Sequence, residues 1–200
     1  MPITPADVEA TFRRAGALLD GHFALASGRH SNRYLEKFQV LQWPRETERL
    51  CAAIAEWARA FDVETVAGPT TGGIILAHEV GRQLGVRAVY AERGEDGRER
   101  VFRRGFTLRP GERIAVVDDI LSTGGSLQET MAAVTAAGAT VACAAVLADR
   151  SGGASVDGPP YLALWKSEIA SFTPEACPQC AAGDPVRKPG TTPAAVPTSR

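Results

Sequence analysis

The chain has 200 residues, of which 44 % are hydrophobic, enough for one globular domain with a sizeable core. A formal net charge of -1 leaves no basic excess, so nucleic acid is not an expected partner, and no apolar run is long enough to span a membrane. Four cysteines are sparse for this length, which argues against a disulfide scaffold and for a reducing, cytoplasmic setting. The opening "MPITPADVEA" lacks the basic-then-apolar order of a secretory signal.

In chain order, Thr4 and Asp7 mark a helix start, with Val8, Phe12 and Ala15 on one face. "GHFALASGRHSNRYLEKFQV" reads as two short strands around a turn near Ser27–Asn32. Pro44 opens a helix in which Leu50, Ile54, Trp57 and Phe61 share a face. An alternating pattern follows: strand "ETVAG", loop "PTTGG", a helix ending at Gly85, strand "VRAVYAE", then the charged "RGEDGRERVFRRGF". Strand "RIAVV", loop "DDILSTGG", helix "SLQETMAAVTAAG" and strand "TVACAAVLA" complete it. Strands alternating with helices predict an α/β fold with a mostly parallel sheet covered on both faces. The Pro/Thr/Ala-rich residues 183–200 read as a disordered tail.

The most informative stretch is "VVDDILSTGGS". In an open parallel sheet, ligands bind beyond the carboxyl ends of the strands. Asp118 and Asp119 come first, and Ser122, Thr123, Gly124, Gly125 and Ser126 then turn into a helix. Free N–H groups and the helix dipole there favour an anion, and the glycines let backbone approach a phosphate. Ser126 and Glu129 have capping-box spacing. Two carboxylates accept hydrogen bonds from a vicinal diol, so the string fits a ribose 5-phosphate. A Walker A loop is excluded because it needs a lysine, and a dinucleotide fingerprint because its glycines precede the acid.

This signature resembles that of the type I phosphoribosyltransferases, which bind 5-phosphoribosyl 1-diphosphate. "FALASGRHSNRYL", "AGPTTGGIILA", "LADRSGG" and "TPEACPQC" are similar to segments of the orotate-specific branch. The resemblance covers about residues 15–180. It implies a type I phosphoribosyltransferase fold over residues 1–182, with a small N-terminal hood at about 1–40 and a flexible loop. It further implies transfer of ribose 5-phosphate to orotate, giving orotidine 5′-monophosphate and diphosphate. Asp118, Asp119, Ile120, Leu121 and Ser122 to Ser126 would hold the ribose phosphate, and Thr70, Thr71, Gly72 and Gly73 the diphosphate. Ser122, Arg150 and Tyr34, with Leu35 beside it, would face orotate. Arg93, with Asp118 and Asp119, would be catalytic. Mg²⁺ would be held mainly by substrate, with no direct protein metal ligand, and a homodimer would share its active sites. Transfer to a purine or uracil, and a phosphoribosyl-diphosphate-sensing regulator, are the alternative readings.

The chain departs from that branch at Ala26 and Gly72, where lysine is common, and in a charged loop whose cations are Arg93, Arg98, Arg100, Arg103 and Arg104. His22, His30 and His78 show no ligand spacing; His30 lies in the Ser-Gly turn, open to diphosphate or to solvent. Cys177 and Cys180 form a C-x-x-C that lacks two ligands for a tetrahedral zinc unless two subunits pair theirs. Trp43, Trp57 and Trp165 are expected in core or interface.

Overall fold

A computed structural model describes residues 3–25, 27–97, 99–153, 156–167 and 169–188. Ala26, Arg98 and the 189–200 part of the expected tail lie outside the described residues. The chain forms two compact units, one of residues 1–17 and 37–168, the other of residues 18–36 and 169–200.

The larger unit opens with α1 (Pro5–Arg14), capped as expected: the Thr4 hydroxyl accepts from Asp7 N–H, and the Asp7 carboxylate accepts from Thr4 N–H. Phe12 is fully buried and its ring lies 5.7 Å from that of Trp165. After α2 (Phe38–Leu41) comes α3 (Pro44–Ala58), which starts on its proline and buries Leu50, Cys51 and Ile54. The core of this unit is then built by β3 (Thr65–Pro69), α4 (Gly72–Leu84), β4 (Arg87–Arg93), β5 (Arg100–Phe102), β6 (Arg113–Leu121), α5 (Gly125–Ala136), β7 (Thr140–Asp149) and β8 (Tyr161–Lys166). Gly85 ends α4 at φ 73°, a left-handed turn that favours glycine.

The sheet order is β5-β4-β3-β6-β7-β8, parallel except for β5, which turns back against β4. The central strands are apolar on both faces: every residue of β3 and nearly every residue of β6 and β7 is buried. Connections β3→β4 and β6→β7 run in opposite directions from the middle of the sheet. Right-handed crossovers therefore place α4 and α5 on opposite faces. The carboxyl ends of β3 and β6 lie side by side at the point where strand order reverses, which is where an open α/β sheet leaves its ligand crevice.

One boundary differs from the sequence-based expectation. The strand before the acidic pair does not stop at Val117 but runs on to Leu121, paired with β7 through Ile120 and Leu121. Asp118 and Asp119 therefore lie within a buried strand rather than a loop, and both are nearly inaccessible.

The smaller unit is a three-stranded antiparallel sheet in the order β1-β2-β9, from β1 (Leu18–Ala24), β2 (His30–Leu35) and β9 (Ser171–Phe172). A turn joins β1 and β2 as predicted. Ser31 Oγ donates to Ala170 O at 2.8 Å and Arg29 to Ser171 O at 2.6 Å. A short 3₁₀ turn, Pro174–Ala176, and α6 (Pro178–Ala181) follow β9. The hood expected at about 1–40 thus differs in make-up: residues 3–17 join the larger unit, and a C-terminal segment supplies part of the smaller one. Within residues 183–188, expected to begin a disordered tail, Arg187 is paired to β1: its N–H donates to His22 O and its O accepts from Ala24 N–H, both at 2.8 Å. Backbone pairing to a strand edge overrides the proline-rich composition at this one position.

A second correction concerns the histidines. His22 and His30 show no ligand spacing in the sequence, yet both lie within 4.8 Å of the sulfurs of Cys177 and Cys180, ligand atom to ligand atom. Linear spacing could not show this, because strand pairing rather than helix periodicity brings the four together.

Candidate active site

The site grows from the tips of β3 and β6. Asp118 is 5 % and Asp119 2 % exposed, so each carboxylate depends on protein partners. Asp118 Oδ1 accepts from Asp119 N–H at 2.8 Å, and Asp118 Oδ2 accepts from Ser126 Oγ at 2.5 Å. Asp119 Oδ1 accepts from Ile120 N–H at 2.7 Å, and its Oδ2 forms an ion pair with Lys37 Nζ at 3.0 Å. Burial, and then the neighbouring Asp119 charge, push the Asp118 carboxyl up to about 6.

Downstream, Ser122 and Thr123 are exposed, and Gly124 sits at φ 84° as the N-cap of α5. A left-handed cap explains the glycine, since a side chain there is strained. The expected capping box of Ser126 with Glu129 is not formed. The Ser126 hydroxyl is drawn to the buried carboxylate of Asp118 instead, a charge-assisted bond that outweighs a cap. Glu129 is drawn away to Arg93 and Arg100, each 3.4 Å from its Oε2. The α5 amino end thus keeps backbone N–H groups without a side-chain cap, next to exposed hydroxyls.

The second loop leaves β3 at Pro69. Thr70 N–H donates to Ala91 O at 3.0 Å, Thr71 is exposed, and α4 starts at Gly72. A Cβ on Gly72 would fall well inside van der Waals contact with Asp119 Oδ2, and one on Gly68 would collide with Gly73 O. These glycines let the two strand tips and the amino end of α4 close up. At Gly72 the space a side chain would need is taken by Asp119.

The charged segment forms a hairpin, β4 and β5, with Arg93 directly opposite Arg100. Pairing of residues 91–93 with 100–102 takes part of the expected loop into the sheet. Arg93 Nη1 donates to Gly97 O at 2.9 Å. Arg100 is 6 % exposed, and its Nη1 lies 3.2 Å from both Thr70 Oγ1 and Ala91 O. It ties the β3 loop to the hairpin base. Arg103 and Arg104 turn outward, Arg104 onto Glu92 at 3.0 Å. Arg150 follows β7 directly, and its N–H donates to Leu121 O at 2.9 Å, which sets it at the end of the signature strand.

The structure therefore gathers Asp118 to Ser126, Thr70 to Gly73, Arg93 and Arg150 along one edge of one sheet. Tyr34 is on β2 of the smaller unit, its ring 5.8 Å from that of Phe23, and Leu35 beside it is buried. Sequence reasoning missed two residues. Lys37 is the partner of Asp119; its one signal was its rarity, one of three lysines beside 19 arginines. Arg100 was one of five loop arginines, and its burial at the start of β5 is what sets it apart. Trp43, expected in core or interface, is 56 % exposed.

Residues 39–175 match the family model for the phosphoribosyl transferase domain, the class that this fold and strand-tip site define. The chain is 48 % identical to orotate phosphoribosyltransferase of Pelotomaculum thermopropionicum over 94 % of its length and 98 % of that protein's. It is 49 % identical to the enzyme of the same name from Heliobacterium modesticaldum, over 90 % of this chain and 94 % of that one. Among solved structures, orotate phosphoribosyltransferase from Aeropyrum pernix superimposes with a TM-score of 0.66 at 25 % identity, covering 80 % of this chain and 93 % of that one. Adenine phosphoribosyltransferase from Thermoanaerobacter pseudethanolicus shares the fold, with a TM-score of 0.59 at 19 % identity over 68 % of this chain and 88 % of that one. The chain belongs to the orotate phosphoribosyltransferase family of type I phosphoribosyltransferases.

Proposed function

We propose that this protein transfers ribose 5-phosphate from 5-phosphoribosyl 1-diphosphate to orotate, releasing diphosphate and orotidine 5′-monophosphate. The reading is carried by one juxtaposition: two buried carboxylates at the end of β6, five residues before the uncapped amino end of α5. A vicinal diol suits the first, and a phosphate suits the second. Orotate phosphoribosyltransferases at 48 % and 49 % identity supply the base.

In this reading Asp118 and Asp119 accept hydrogen bonds from the ribose hydroxyls, and Lys37 holds Asp119 in place. The N–H groups and hydroxyls of Ser122 to Ser126 bind the 5-phosphate. Thr70 to Gly73 bind the diphosphate. Arg150 and Ser122, with Tyr34, are assigned to orotate; a planar guanidinium matches its carboxylate. As the anomeric C–N bond forms and the C–O bond to diphosphate breaks, negative charge gathers on the leaving group, and Arg93 opposes it. Mg²⁺, chelated by the diphosphate and ribose hydroxyls, would add positive charge beside the leaving oxygens. We place the protein in the cytoplasm as a homodimer; no helix among the described residues is long and apolar enough to cross a membrane.

The test is a base-specificity assay. Orotate absorbance falls when the protein, Mg²⁺ and phosphoribosyl diphosphate are mixed, and adenine, hypoxanthine and uracil are not turned over comparably. Equal turnover of these bases would defeat the assignment.

A further inference from the structure

We propose that His22, His30, Cys177 and Cys180 form a structural zinc site that fastens the smaller unit together. Its four ligand atoms converge: His22 Nε2 and His30 Nδ1 are 2.9 Å apart, Cys177 Sγ is 3.4 Å and Cys180 Sγ 3.6 Å from His22 Nε2, and Cys180 Sγ is 3.2 Å from His30 Nδ1. A tetrahedral zinc with ordinary Zn–S and Zn–N bonds requires S···N separations of about 3.6 Å and N···N of about 3.3 Å. The observed spacings differ from these by a few tenths of an ångström, which a small outward relaxation of each side chain supplies. Two thiolates and two imidazoles are a donor set that zinc favours, and four protein ligands leave no open position, as in a structural rather than a catalytic site.

The surroundings orient the ligands. His22 Nδ1 lies 2.9 Å from Asp184 O, a carbonyl that only accepts. His22 therefore carries its proton on Nδ1 and turns the Nε2 lone pair to the cluster, the arrangement typical of a metal-bound imidazole. The strand is built to present it. Register shifts between Asp20 and Phe23, so His22 and Phe23 are both buried although they are consecutive. Gly21 at φ 154° makes that bulge possible. Cys177 and Cys180 flank the start of α6, the three-residue spacing of a zinc knuckle. The bound ion would link β1, the first residue of β2 and the C-terminal segment, in a unit with a small core of its own.

The competing state of these cysteines is a Cys177–Cys180 disulfide, in which the histidines have no role. The full-length chain, purified under reductant without a metal-affinity step, is expected to contain about one zinc per chain by elemental analysis. Exchange with Co²⁺ is expected to give the visible absorption of a tetrahedral centre together with a thiolate-to-cobalt band. Replacing both Cys177 and Cys180 by Ser is expected to lower zinc content at least about ten-fold, while replacing Cys51 and Cys143 leaves it unchanged. Three results would overturn the site: reduced protein that takes up no zinc from solution, a six-coordinate cobalt spectrum, or zinc retained in full by the double serine variant. The wild-type measurements hold even if that variant folds poorly, and none of them depends on the base-specificity assay.

Discussion

Asp118 carries a charge that its surroundings resist. Its carboxyl is raised to about 6, so folding favours the protonated form. That contribution to stability is fully present below about pH 4 and is lost as pH rises through 6, the opposite of a salt-bridged acid. Asp118→Asn should therefore be more stable than the parent at pH 7.5, by up to roughly 3 kcal/mol, with the gain vanishing near pH 4 in thermal melts. The same variant should bind phosphoribosyl diphosphate far more weakly by calorimetry, because the diol loses an ionised acceptor. Unchanged affinity would remove Asp118 from the ribose site. Gly72 makes the complementary prediction. Gly72→Ala places a methyl group against Asp119 Oδ2, which must then leave Lys37. Activity should fall at least about a hundred-fold, while overall unfolding shifts by only about 1–3 kcal/mol. The acidic pair was legible because its residue types state their chemistry. The Gly72 contact was not, because it depends on where a neighbouring strand ends.

At the scale of elements, the β4–β5 hairpin separates the arginines on its paired strands from those in the turn that follows. Arg93 and Arg100 face Glu129 on α5, and Arg100 also reaches Thr70, whereas Arg103 and Arg104 face outward. Arg100→Ala should weaken phosphoribosyl diphosphate binding at least about ten-fold, since the β3 loop loses its anchor. Arg104→Ala should leave kcat/KM near the parent value. Steady-state kinetics on the two variants decides it, and equal effects would deny the division. The alternation of β3, α4, β4, β6, α5 and β7 was readable from apolar runs bounded by glycine and proline. Which arginine points inward was not, because a run of charges has no period. The length of β6 was misread for a related reason: acids usually end a strand, but here β7 pairs on past them to Leu121 and Asp149.

At the scale of the whole molecule, the sheet has two working edges. Opposite the site, Glu112 is buried and bonded to Thr65 Oγ1 at 2.6 Å, Arg109 N–H at 2.7 Å and Arg87 at 3.1 Å. Burial alone would raise its carboxyl, but the Arg109 N–H, the Thr65 hydroxyl and the Arg87 guanidinium outweigh that and hold it at about 2. This stability is present above about pH 4.5 and lost as pH falls through 2. Glu112→Gln should lower stability at pH 7 by a few kcal/mol in denaturant melts, with the deficit shrinking below pH 4 and catalysis per folded molecule unaffected. If the proposed dimer shares its sites, mixing an inactive Arg93 variant with an inactive Asp118 variant should restore part of the activity; no recovery despite subunit exchange would refute sharing.

The smaller unit is assembled from residues 18–36 and 169–188, with all of the parallel sheet encoded in between. On the ribosome its hairpin is made among the first residues and then waits for nearly the whole message to be read before its third strand and both cysteines emerge. A nascent chain arrested after Lys166 would already hold every strand of the six-stranded sheet, yet would lack the Arg187 bridge and half of the Cys/His cluster.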